Sequence, residues 1–211
     1  MSQPSFRRRW PRFVAGTIHD LHRLKIPFAR RVVLPLNTAV IAAHLRDLHY
    51  VFARHGITFW LRDGTALGAV RDGAVIPHDD DADLGMWTHD APKLDAALAE
   101  LARRGFTVYQ RDAGIVALLR NFETVDICIS GDAHPDDAYG SAHVAFFRAL
   151  RPVAFLGLEF NVPRDTERYL EFCYGADWRV PKFGSWWSHS CWLPAAQQAE
   201  LLRRFAAGRR E

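Results

Sequence analysis

The chain has 211 residues, 49% hydrophobic and 24% charged, with a formal net charge of +3. That length favours one domain and that mixture a folded core, which excludes wholesale disorder. No apolar run approaches the ~20 residues needed to span a bilayer, and nothing near the start has a signal-peptide core, so membrane spanning and secretion are disfavoured.

Three cysteines (Cys128, Cys173 and Cys191) show no CxxC spacing. A disulfide framework or cysteine zinc site is not expected, and a reducing cytoplasm fits. The charge is uneven: residues 1–35 hold eight basic side chains against Asp20 alone, 8 − 1 = +7, leaving 3 − 7 = −4 for the rest. The sequence divides into a basic N-terminal arm, residues 1–36, and a single domain, residues 37–211. Such an arm attracts anionic lipid, which gives an expected peripheral contact at the inner membrane face; a solvated leader is the plainer reading. The acidic body argues against broad nucleic-acid contact.

In chain order, apolar residues at Val40, Ile41, Leu45, Leu48, Val51 and Phe52 predict a helix over Thr38–Arg54, capped by Asn37 or Thr38 and stopped at Gly56. Residues 57–61 read as a short strand, Asp63-Gly64-Thr65 as a turn, 65–70 as a short helix and Asp72-Gly73 as another turn. Ala82–Trp87 reads as a strand entered from an acidic corner. A helix with Pro92 in its first turn ends at Gly105. Strands are expected over 106–110, 115–120 and 124–129, with β character again over 146–158 and 160–162. A helix capped by Asp165 runs to Cys173, and a last amphipathic helix covers 194–207. This order predicts an α+β fold, a mixed β-sheet flanked by helices.

The informative stretch is 60–71, Trp-Leu-Arg-Asp-Gly-Thr-Ala-Leu-Gly-Ala-Val-Arg, running on to Ile76-Pro-His-Asp-Asp-Asp-Ala-Asp83. On an extended chain Asp79, Asp81 and Asp83 share a face while Asp80 points away. Clustered like charges are costly unless a cation holds them, and carboxylates suit hard divalent ions such as Mg²⁺ or Mn²⁺. Asp126 stands alone between Val125 and Ile127, and joins the cluster if its strand pairs with Ala82–Trp87. An acidic loop cap is the plainer reading of the cluster alone. The preceding Gly64-Thr65 turn, opening a helix whose N–H groups suit phosphate, tips it toward a site, with Arg71 as a complementary charge.

These stretches resemble the signature of the LicD and fukutin-related phosphoalcohol transferases of the nucleotidyltransferase-fold superfamily. That signature looks like Trp-Leu-x-Gly-Gly-Thr-Leu-Leu-Gly-Ala-Val-Arg, then Ile-Pro-Trp-Asp-Asp-Asp-Ile-Asp. Val125-Asp126-Ile127 matches a further hydrophobic-Asp-hydrophobic strand, and Val162-Pro163, Tyr169-Leu170, Tyr174-Gly175, Trp178 and Pro181 match a downstream pattern. Asp63 departs from the usual glycine, His78 from Trp and Ala82 from Ile or Val.

The resemblance implies a nucleotidyltransferase-like fold and transfer of a phosphoalcohol, such as phosphocholine, from a CDP-activated donor to a hydroxyl of a cell-surface glycan or glycolipid precursor, releasing CMP. It makes Asp81, Asp83 and Asp126 the catalytic and Mg²⁺ (or Mn²⁺) ligands. Gly64, Thr65 and Arg71 would hold the donor's phosphates, with Asp79 in the same substrate-binding corner as an outer-shell partner. Transfer of NMP to a small molecule or protein, and a glycosyltransferase using Asp81-Ala82-Asp83 as its metal clamp, are the rival chemistries. A Trp-rich stretch, Trp178, Trp186, Trp187 and Trp192 with Lys182 and His189, reads either as packing or as a box for a quaternary ammonium or a sugar. His134, His143 and His189 lack metal-ligand spacing, and Ser188-His189-Ser190 lacks a nucleophile elbow.

Overall fold

The computed structural model describes residues 36–131 and 143–181, with Glu200 and Arg203. The first helix, α1 (Thr38–Arg54), has the bounds that its periodicity predicts. The Asn37 side chain accepts from the Val40 N–H at 3.2 Å, and Ile41, Leu45, Leu48, Val51 and Phe52 form its buried face. Gly56, at φ +61°, turns the chain into β1 (Phe59–Leu61). Leu36 is also buried and donates to the Pro77 carbonyl at 2.9 Å.

β1 is followed at once by α2 (Asp63–Leu67) and a π-helical turn (Gly68–Asp72) closed by Gly73 in the left-handed region. The expected turn at 63–65 is therefore already helix. Its start is set from outside, because Asp63 takes up φ +44° under tertiary contacts described below. Then come β2 (Ala82–Trp87), α3 (Ala91–Arg103), β3 (Thr107–Arg111), β4 (Ile115–Arg120) and β5 (Glu123–Ser130). After a 3₁₀ turn (His143–Arg148), the β character expected over 146–158 and 160–162 resolves into a hairpin, β6 (Leu150–Phe155) and β7 (Leu158–Pro163), turning at Leu156 and Gly157 with φ +55° and +78°. α4 (Thr166–Tyr174) follows; Asp165 precedes it but makes no side-chain cap bond.

The main sheet runs β1-β2-β5-β4-β3. β2 and β5 are parallel, and every other pair is antiparallel. Helix α1 packs on α3 and β5, closing one face over a core of Leu48, Phe52, Val116, Leu118, Val125 and Ile127. The β6–β7 hairpin and α4 pack beside β1 and α2. Trp60 and Gly85 are register partners, and a Cβ on Gly85 would lie 2.2 Å from the Trp60 Nε1. The indole fills that space, stacking on Phe147 at 5.1 Å, and so fixes the exit of β1 toward the acidic corner.

Residues 1–35, His134, the expected helix over 194–207 (except Glu200 and Arg203, both helical) and the aromatic stretch from Lys182 to Trp192 lie outside the described residues. Trp178 is described: it is buried, with the Arg179 guanidinium 4.1 Å from its ring centroid. Among the described residues no helix is long and apolar enough to cross a membrane.

Candidate active site

The parallel β2–β5 ladder makes Asp83 and Asp126 register partners, as the strand pairing anticipated. Neighbouring strands lie ~4.8 Å apart, so two carboxylates share one row of the sheet. One oxygen from each of Asp79, Asp80 and Asp81 lies within 4.8 Å of the others. The alternation expected over 79–83 does not hold, because residues 77–81 form turns and bends and extended geometry begins at Ala82. Asp80 accordingly does not point away: its charge acts on Asp79, Asp81 and Asp126.

The electrostatics are those of carboxylates crowded on one another. Burial first, then Asp80, holds the Asp79 carboxyl up at about 7. Burial and the charge of Asp80 raise Asp126 to about 6, against a hydrogen bond from Tyr109 that lowers it. Asp81 and Asp83 are pushed well above the ordinary carboxylate range by burial and by their acidic neighbours. The Asp126 Oδ1 is buried with no hydrogen-bond partner. An orphaned carboxylate oxygen at the focus of mutually repelling carboxylates is a donor set of the hardness and charge that a divalent cation takes up. The residues present fit such an ion.

Thr65 ties α2 to β2, its Oγ1 accepting from the Asp83 N–H at 2.8 Å. Gly64 is required by Asp79: a Cβ there would lie 2.0 Å from the Asp79 Oδ2, so the carboxylate rests against the first turn of α2. Arg71, on the π-helical turn, grips Asp72 through Nε and Nη2 at 2.9 and 2.7 Å. The structure thus brings Asp79, Asp81, Asp83, Asp126, Gly64 and Thr65 into one corner, with Arg71 held on its own acidic neighbour.

The roles of three residues at the corner, Arg62, Tyr169 and Tyr109, escaped sequence reasoning. Arg62 is 1% exposed and donates through Nε to the Asp63 Oδ2 at 2.8 Å. Burial opposes its charge, and Asp63, followed by Cys128, Tyr169 and Asp83, more than offsets that, so the guanidinium remains ionised. Asp63 stands where the signature has glycine, and its φ of +44° explains the glycine: the site needs a left-handed residue, and aspartate is among the few others that tolerate it. The Tyr169 hydroxyl accepts from the Asp63 N–H at 2.9 Å and donates to its Oδ1 at 2.7 Å. Tyr109, the third, occupies a register shift in β3 between Val108 and Gln110. A bulge re-aims a side chain, and here it delivers the phenol to Asp126. Neither the bulge nor the buried pair has a periodicity signal; the one hint was a charge, Arg62, at the end of an apolar strand.

An acidic centre on a parallel strand pair, preceded by a Gly-Thr helix start, sits here in a domain of nucleotidyltransferase type. The chain belongs to the LicD/FKTN/FKRP family, whose nucleotidyltransferase domain matches residues 56–165. The α+β architecture, a five-stranded mixed sheet flanked by helices, is the nucleotidyltransferase-like fold expected from the sequence. An uncharacterized protein of Rickettsia prowazekii (strain Madrid E) is 38% identical over 68 residues, covering 32% of this chain and 26% of that protein. The ribitol-5-phosphate transferase FKTN of Mus musculus is 27% identical over 139 residues, 60% of this chain and 30% of FKTN. The ribitol 5-phosphate transferase FKRP of Homo sapiens is 28% identical over 140 residues, 57% of this chain and 28% of FKRP. The matches therefore span less than a third of these curated relatives. Among solved structures, antibiotic-resistance factor ANT(2'')-Ia aligns with a TM-score of 0.47 at 17% identity, over 81% of this chain and 85% of that one.

Proposed function

We propose that the chain is a divalent-metal-dependent transferase that moves a phosphoalcohol from a CDP-activated donor to a hydroxyl of a glycan, releasing CMP. The supporting observation is the Asp83–Asp126 pair in one row of the β2–β5 ladder, joined by Asp79, Asp80 and Asp81, in a domain of the LicD/FKTN/FKRP family. Its relatives FKTN and FKRP are ribitol-phosphate transferases, which makes ribitol phosphate a donor group to test beside phosphocholine.

Asp81, Asp83 and Asp126 would hold Mg²⁺ or Mn²⁺, which when bound supplies charge neutralisation at the phosphoryl oxygens. Asp79, seated on Gly64, backs these ligands. Thr65 spends its oxygen on the Asp83 N–H and so fixes the carboxylate that follows, while its own proton is available to a donor phosphate. Arg71, paired with Asp72, is the cation proposed to meet a donor phosphate. The acceptor oxygen attacks the phosphorus that bears the alcohol, the bond from that phosphorus to CMP breaks, and Asp126 receives the acceptor's proton. Arg62, buried behind Asp63, keeps the floor of the site from carrying only negative charge.

A screen of CDP-ribitol, CDP-choline and nucleoside triphosphates with Mg²⁺ or Mn²⁺ tests this reading when CMP, pyrophosphate and nucleoside diphosphate are measured separately. CMP is the expected product, abolished by Asp83→Asn. Pyrophosphate release from a triphosphate instead identifies NMP transfer, and nucleoside diphosphate release from a nucleotide sugar added to the screen identifies glycosyl transfer; either result replaces the proposal.

A further inference from the structure

The turn between β4 and β5 carries a conflict between residue and conformation. Arg120 and Glu123 are register partners, so Asn121 and Phe122 alone make the turn, at φ +51° and +65°. Two-residue hairpin turns with both positions left-handed favour Asn followed by Gly. Asn121 obeys that rule. Phe122 breaks it, since its Cβ crowds the following carbonyl in this conformation. Burial gives no recompense: at 81% exposed, Phe122 protrudes further than any other large hydrophobic residue among those described. A bulky residue both strained and unburied is retained for something outside the fold.

Its place in the sheet indicates what that is. Thr124 and Asp126 alternate onto one face of β5, and Leu119 pairs with Thr124. Thr124 and Leu119 are both half-buried, forming a partly open strip between Asp126 and the turn. Asp80 and Asp81 lead into Ala82, which pairs with Val125, so the acidic corner opens at this same end of the sheet. Phe122 precedes the strand, and Glu123 to Asp126 alone cover about 10 Å of it, a span reached by an oligosaccharide and not by a single sugar.

We propose that Phe122 is the acceptor platform of the site, its ring stacking on the C–H face of a sugar in the glycan whose hydroxyl is led to Asp126. This rests on the transferase reading above. An aromatic face against the apolar face of a neutral sugar is favourable, and the exposed Asn121 amide beside it can bond sugar hydroxyls. Glu123 beside the turn, and Asp79, Asp80 and Asp81 at the same end of the sheet, disfavour an anionic headgroup, so a glycan suits this rim better than a charged membrane.

The test uses the full chain as wild type, Phe122→Gly and Phe122→Trp, on an array of immobilised neutral hexose and N-acetylhexosamine oligomers. Sedimentation with phosphatidylcholine–phosphatidylserine vesicles and thermal unfolding accompany it. Wild type is expected to bind at least one oligomer, Phe122→Gly to bind it roughly tenfold more weakly, and Phe122→Trp to keep the affinity. The melting temperature of Phe122→Gly should not fall, because Asn-Gly suits the turn. Wild type binding no oligomer, equal binding by Phe122→Gly, or a loss confined to the vesicles would each overturn the platform. Binding requires no donor turnover, so absence of CMP release would count against the transferase reading alone.

Discussion

Tyr169 holds Asp63 twice, accepting its backbone N–H and donating to its carboxylate, and thereby pins α4 to the first residue of α2. The other Asp63 oxygen binds the buried Arg62. Replacing Asp63 by the glycine usual in its family would relieve a left-handed aspartate, worth ~1 kcal/mol, but remove the Nε acceptor and strongest counter-charge of a buried guanidinium, which costs ~3–5 kcal/mol. The second effect is larger. Asp63→Gly should therefore be destabilised by a few kcal/mol in urea unfolding, and Tyr169→Phe by about 1–3 kcal/mol. A glycine variant as stable as wild type would show that Arg62 has another sufficient counter-charge.

Cation binding should register in stability as well as in turnover. Without metal, Asp83 and Asp126 repel each other, so Asp83→Asn or Asp126→Asn should melt at or above the wild-type temperature in EDTA. Added Mg²⁺ or Mn²⁺ should stabilise wild type, by about 2.7 kcal/mol at a concentration 100-fold above the dissociation constant, and leave both variants unmoved. Equal metal-induced shifts in wild type and variants would remove these two aspartates from the ligand set.

Gly64→Ala separates the seat of Asp79 from the fold. Alanine is the better helix former by ~0.5–1 kcal/mol, and its methyl meets the end of a side chain instead of backbone. Stability should stay within about 1 kcal/mol of wild type while metal-dependent turnover drops by roughly tenfold or more as the carboxylate is displaced. Unchanged turnover would mean that Asp79 works equally well from elsewhere.

His44 gives a pH prediction remote from the site. It is fully buried on α1, edge-on to Phe106 at 5.0 Å, with neither ring nitrogen hydrogen-bonded. Burial, and then the charge of Arg120, lowers it from 6.5 to about 4. The unfolded chain therefore takes up a proton that the folded chain refuses between those values. This part of the stability is intact above pH 6.5 and lost as pH falls toward 4, by about 3 kcal/mol at most. The raised Asp79 and Asp126 act in the opposite direction in the metal-free chain, so the quantity to measure is wild type minus His44→Met. That difference should slope across pH 6.5 to 4 and be flat above; a flat difference throughout would mean His44 charges inside the fold.

Where one periodicity ruled, the sequence was readable to the residue. Thr38–Arg54 and Ala82–Trp87 have the bounds that their apolar spacing predicts. The Asp83–Asp126 pairing was legible because a lone carboxylate between Val125 and Ile127 has few reasons to be there. Features set by distant contacts were hidden. Asp63 reads as a turn residue until Tyr169, 106 residues later, holds it at a helix start. Asp79, Asp80 and Asp81 read as extended, although the ladder starts only at Ala82, opposite Val125, and the chain before it bends. Tyr109 reads as an ordinary strand position, because a one-residue bulge leaves no mark on composition. The hairpin of β6 and β7 blurred because its Leu156-Gly157 turn is as apolar as its strands.

The β2–β5 ladder also sets an order of events during synthesis. Asp79 to Asp83 leave the ribosome well before Asp126, and α3 with the β3–β4 hairpin must emerge between them. A nascent chain ending short of Glu123 holds Asp81 and Asp83 without Asp126. On the proposed ligand set, metal capture is thus a late event, reserved to molecules whose parallel strands have already met.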